Sequence, residues 1–86
     1  MKVKVLGTGC PKCKKLYAET EKAIAASGVE AELSKVEKLN EIMDYGVMMT
    51  PALVVDGKVV SCGRLPSSDE IVRWLRSAGG NGDVNA

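Results

Sequence analysis

Apolar residues fall along the chain in short groups whose spacing changes from one group to the next. Lys2 to Leu6 reads as a first strand, closed by Gly7-Thr8-Gly9, where two glycines allow a tight or unusual backbone path. Pro11 suits a first helical position, because the amide hydrogen it lacks would go unpaired there. From Pro11 to Ser27 the pattern is helical: Leu16, Ala23 and Ile24 share a face, Thr20 lies between them, and Gly28 stops the run. Val29, Ala31 and Leu33 alternate with Glu30 and Glu32, which predicts a half-buried strand at a sheet edge. Val36, Leu39, Ile42 and Met43 then recur at helical spacing, and Gly46 is placed to end the short helix they define.

Ala52 to Val55 and Lys58 to Cys62 are β-branched-rich runs joined by Asp56-Gly57, the pair preferred in a two-residue antiparallel hairpin. After Gly63-Arg64-Leu65-Pro66, Ser67 and Glu70 stand in capping-box spacing ahead of a helix that turns Ile71, Trp74, Leu75 and Ala78 to one side. The order is therefore β-α-β-α-β-β-α. Its βαβ unit requires parallel strands and its hairpin antiparallel ones, so the fold class is α/β, a four-stranded mixed sheet covered on two faces by three helices. Residues 1–78 are expected to form the domain, and residues 79–86, Gly-Gly-Asn-Gly-Asp-Val-Asn-Ala, a disordered tail with nothing sizeable to bury.

Composition narrows the chemistry. With 86 residues and 45% hydrophobic content the chain has one small core and no room for a large buried cofactor. Trp74, Tyr17 and Tyr45 are its only aromatics, too few for a nucleic-acid stacking platform, and the tyrosines read as packing residues. A formal charge of +1 with no basic tail gives nucleic acid no footprint. The absence of histidine removes the usual general base and a common zinc ligand. No apolar run suits a signal peptide or reaches the roughly 18 residues of a membrane span, so a cytoplasmic protein without a membrane partner is expected.

Cys10 and Cys13 lie between the first strand and the first helix, which places Cys10 at the helix N-terminus and Cys13 one turn inside. Unpaired amides and the helix dipole favour a thiolate at Cys10, as in oxidoreductase pairs whose thiol pKa falls to roughly 3.5 to 7. Lys12, Lys14 and Lys15 add a screened positive potential. Cys10 would attack a substrate disulfide, and Cys13 would then displace the substrate from the mixed disulfide. A structural zinc site would need four ligands where the chain offers one further cysteine and no histidine, although the two thiolates alone could hold a soft metal ion. Thr50-Pro51, directly before a strand, reads either as a cis turn beside the cysteines or as an ordinary trans start to the strand.

The strand-Gly-Thr-Gly-Cys10-Pro11-Lys12-Cys13-helix opening, Thr50-Pro51 before the hairpin and Gly63 after it resemble the thioredoxin and glutaredoxin superfamily. The likeness is greatest to its small archaeal and bacterial glutaredoxin-like thioredoxins, and it covers residues 1–78. It implies a minimal thioredoxin-like fold, an attacking Cys10, a resolving Cys13 and a cis Thr50–Pro51 bond flanking them. Pro11, Lys12, Thr50, Pro51 and Gly63 would position substrate. It further implies a redox-active disulfide as the only prosthetic chemistry, disulfide-containing protein substrates, a thioredoxin-reductase-like electron donor and a monomer. Gly9 stands where larger thioredoxins carry tryptophan, and the first strand lacks their buried acid. Lys12 and Cys62-Gly63-Arg64 replace the aromatic and the Gly-Gly of glutaredoxins, which weakens the alternative of glutathione-linked activity. The loop also resembles that of small copper carriers, whose β-α-β-β-α-β order differs from the one read here. Cys62 is expected as a small buried hydrophobe, the alternatives being a third redox thiol or a dimer cross-link. Arg64 reads as a surface cation or a contact for a substrate carboxylate. Met48 and Met49 offer either an apolar docking surface or core packing.

Overall fold

The computed structural model describes residues 1–78, and the expected disordered tail lies outside the described residues. Seven elements follow one another: β1 (Lys2–Leu6), α1 (Pro11–Ser27), β2 (Glu32–Val36), α2 (Leu39–Asp44), β3 (Ala52–Val55), β4 (Lys58–Cys62) and α3 (Ser68–Arg76). They build one sheet in the order β2-β1-β3-β4, with β1 parallel to β2 and antiparallel to β3, and β3 antiparallel to β4. This is the four-stranded mixed sheet with three helices of a minimal thioredoxin-like fold.

Alternation along the central strands divides the core. Val3, Val5, Leu53 and Val55 point to one face, where Leu16 and Ala23 of α1 and Ile71 and Leu75 of α3 cover them. Leu6, Ala52 and Val54 point to the other, where they meet Val36 of β2 and Ile42 of α2. Thr20 is fully buried on α1 without penalty, because its hydroxyl donates to the Leu16 carbonyl at 2.7 Å. Asp56 and Gly57 both have positive φ, 49° and 81°, the backbone of a tight turn matched to strand twist. Ser67 and Glu70 close the reciprocal capping box at the start of α3.

Three expectations need correction. The second strand runs from Glu32 to Val36 rather than from Val29, because the parallel ladder aligns Lys2 with Glu32 and Leu6 with Val36. Val36 therefore belongs to a strand and not to the following helix. Leu39 and Met43, expected on the buried face of that helix, are 63% and 64% exposed, leaving Ile42 as its buried residue. Cys62 is exposed rather than a buried hydrophobe. The ladder pairs Leu53 with Ser61 but Val54 with Val59, so Val60 is an extra residue that reverses the parity of the strand beyond it. Cys62, opposite Ala52, thereby falls on the α2 side of an edge strand.

Candidate functional site

Everything chemically distinctive gathers at the end of the sheet where β1 finishes and β3 begins. Gly7 donates its amide to the Val36 carbonyl at 3.0 Å, carrying the β1–β2 ladder one residue past the strand. Gly9 has φ 92°, a left-handed backbone that favours glycine, and it turns the chain into Cys10. Cys10 is the N-cap of α1 and Pro11 its first residue, so the missing proline amide costs no hydrogen bond. Cys10 and Cys13 are joined as a disulfide with their Cα atoms 5.0 Å apart. The Cys13 amide donates to Cys10 Sγ at 3.2 Å, so the N-cap sulfur stands where a capping oxygen usually does.

The two sulfurs have unequal access. Cys13 is only 5% exposed and Cys10 is half-buried. Pro11 and Lys12 lie exposed on the first turn beside them. Across the sheet, Leu6 pairs with Ala52, which brings Pro51 to the same end as Gly7. The Thr50–Pro51 bond is cis, with Thr50 exposed and Pro51 buried. Gly63 donates its amide to the Pro51 carbonyl at 2.9 Å, and a Cβ on Gly63 would stand 3.2 Å from Met49. The residues singled out from the sequence, Cys10, Pro11, Lys12, Cys13, Thr50, Pro51 and Gly63, thus occupy one end of the fold.

Two neighbours of Cys13 escaped the sequence reading. A cavity of about 30 Å³ beside it is lined by Val5, Gly7, Gly9, Lys14, Lys35 and Glu37. Lys35 pairs with Val5 in the parallel ladder, and its ammonium lies 4.8 Å from the Tyr17 ring centroid. Glu37 follows Val36, and its carboxylate would be 3.9 Å from a Cβ on Gly9. Lys35 and Glu37 are remote from the cysteines in sequence, and only the β1–β2 register brings them there. Extending the alternating pattern through Val36 would have been the one signal for it.

Arg64 is occupied. Its two terminal nitrogens donate to the Glu70 carboxylate at 3.2 and 3.1 Å, and its guanidinium lies 5.8 Å from the Trp74 centroid. The pair holds the Glu70 carboxyl below its ordinary range, helped by the Ser67 amide, and raises Arg64. Met48 and Met49 are 94% and 62% exposed, so neither is a core residue. Among the described residues no group of three or more His, Cys, Asp or Glu side chains is placed to hold a metal ion, and no helix is long and apolar enough to cross a membrane.

Residues 1–76 match the family model described as a thioredoxin domain. A thioredoxin of Methanocaldococcus jannaschii is 40% identical over 75 residues, covering 87% of this chain and 86% of the relative. A thioredoxin of Methanothermobacter thermautotrophicus is 35% identical over 75 residues, covering 87% and 97%. An uncharacterized 9.0 kDa protein of Acidithiobacillus ferrooxidans is 30% identical over 81 residues, covering 90% and 94%. With a disulfide at the start of its first helix and a thioredoxin-like sheet behind it, the chain belongs to the thioredoxin domain family.

Proposed function

We propose that the protein is a thiol-disulfide oxidoreductase that reduces disulfides in other proteins through the Cys10/Cys13 dithiol. What supports the reading is the unequal access of two sulfurs one helical turn apart: Cys10 half-buried and within reach of an amide donor, Cys13 buried behind it.

In the reduced protein the Cys10 thiolate, stabilised by the amide hydrogen and the start of the helix, attacks a client disulfide. The client S–S bond breaks, a bond from Cys10 Sγ to client sulfur forms, and the first client thiolate leaves and takes a proton. Cys13 then gives up its proton to solvent and attacks Cys10 Sγ. The second client thiolate leaves and is protonated. The client has gained two electrons, the Cys10–Cys13 disulfide has formed, and an upstream thioredoxin-reductase-like dithiol donor restores the pair. Pro11 and Lys12 border the entry to Cys10, and Thr50, Pro51 and Gly63 shape the opposite border, where an extended client strand would lie. No cofactor beyond the dithiol takes part, and the cytoplasm is the compartment where a reductant of this kind works.

The experiment is to equilibrate the protein in defined glutathione and dithiothreitol buffers, trap the thiols and locate the bond by mass spectrometry. The expected result is a reversible two-electron transition at Cys10–Cys13, with a potential near about −270 mV marking a reductant and one near about −120 mV an oxidant. A pair that forms no disulfide and instead retains stoichiometric metal would overturn the reading.

A further inference from the structure

The two longer helices treat their dipoles in opposite ways. Asp69 and Glu70 lie in the first turn of α3 and Arg73 and Arg76 in its last, the arrangement that complements the helix ends. On α1 no acid lies in the first turn and no base in the last. Instead Lys12, Lys14 and Lys15 crowd its opening, all exposed, where the dipole disfavours cations. The first acid along α1 is Glu19, and it pairs with Lys22 at 3.7 Å. Among the described residues the only other ion pair is Arg64–Glu70, so none of the three lysines has a salt-bridge partner. Glu37 is the one carboxylate sharing the cavity that Lys14 and Lys35 line. General basicity does not explain the crowding, because the whole chain carries only +1. A local arrangement that works against helix stability, in a chain that follows the rule elsewhere, points to use by a partner.

We infer that these lysines form a docking surface for client segments that carry carboxylates beside their disulfide. The inference rests on the proposed reaction at Cys10 and names the class of protein it selects. At 1.5 Å per residue, Lys15 is about 7.5 Å along the helix from Cys10, within the screening length of about 8 Å at physiological salt. A carboxylate next to a client cysteine therefore meets positive charge that salt screens only in part as its sulfur approaches Cys10. The opposite border is apolar: Met48 and Met49 join Leu39 and Met43 along a surface groove of about 520 Å³. The charge selection thus comes from the α1 side, and its effect falls on encounter rate more than on the chemistry.

The test uses three disulfide-bonded peptides of equal length whose residues around the cystine are acidic, neutral or basic, reduced by the full chain under single-turnover conditions at low and high salt. The acidic peptide is expected to react about tenfold faster than the basic one at low salt, with the ratio collapsing at high salt. Replacing Lys12, Lys14 and Lys15 together by Glu should invert the ratio while raising the thermal midpoint, since carboxylates suit a helix start. Any effect of the lysines on the Cys10 thiolate is common to all three peptides and cancels in the ratio. Lys58→Glu, a single charge reversal of the same kind at the far end of the sheet, should leave the ratio unaltered. If the triple variant does not fold, Lys12→Gln must narrow the ratio by itself. Equal, salt-independent rates for the three peptides would overturn the docking surface alone, as would a Lys58→Glu effect equal to that of the triple variant. Failure to reduce any of them would overturn the proposed reaction as well.

Discussion

Cys13 Sγ occupies the place where a Cβ on Gly7 would stand, and Cys13 Cβ would be only 3.0 Å from that position. Glycine here is a matter of space, since Gly7 is not among the positive-φ residues. Both groups are buried at the sheet end, so neither has solvent to move into. Gly7→Ala is therefore expected to destabilise the fold by about 1–3 kcal/mol, read from the midpoint of denaturant unfolding. An unchanged midpoint would show that Cys13 is not seated against the β1 terminus.

The Ser67 hydroxyl accepts the Glu70 amide at 3.2 Å, and the Glu70 carboxylate accepts the Ser67 amide at 3.1 Å. Ser67→Ala leaves the Glu70 amide without its cap and is expected to cost about 1 kcal/mol. Ser67→Gly should cost only a few tenths. Chemical denaturation of the two variants checks the order.

Glu70 also makes stability respond to acid. Arg64, then the Ser67 amide, lowers its carboxyl below the ordinary value of 4.5 in the folded chain. A carboxyl lowered on folding contributes stability that is present above its unfolded value and lost as pH falls through the folded one. Stability should therefore decline on acidification below the ordinary carboxylate range, and Glu70→Gln should remove that part of the decline. Thermal midpoints of both proteins, measured from neutral pH down through that range, provide the comparison.

Cys62 is a free, exposed thiol at the end of β4, and no step of the proposed reaction uses it. Cys62→Ser is expected to change stability by less than about 0.5 kcal/mol and to leave the Cys10–Cys13 transition in place. In the oxidised native protein Cys62 alone should react with an alkylating reagent. Mass spectrometry of the labelled chain identifies the modified residue.

Local signals revealed most of this molecule in the sequence. The hairpin, the capping box and the strand-to-helix placement of Cys10 each depend on residues close together, and the structure contains all three. The second strand was harder, because its start is set by pairing with β1 rather than by its own alternation. Val36 was drawn into a helical pattern for a physical reason: it buries against the same face as Ile42, so the two share a cluster without sharing an element. Leu39 and Met43 completed that spacing yet line a surface groove. Cys62 turned outward through a bulge that no residue type announced. Lys35 and Glu37 line the cavity beside Cys13 only through the parallel ladder, so a one-dimensional pattern had no means of joining them to the dithiol.

The most direct measurement is to mix Cys13→Ser and Cys10→Ser, each fully reduced, with a disulfide-containing protein client and follow covalent adducts by mass spectrometry. If Cys10 attacks and Cys13 resolves, Cys13→Ser accumulates a mixed disulfide through Cys10, while Cys10→Ser, whose remaining site sulfur is 5% exposed, accumulates none at Cys13. Equal adduct formation through Cys13, or no adduct with Cys13→Ser, would contradict the assignment of the two sulfurs.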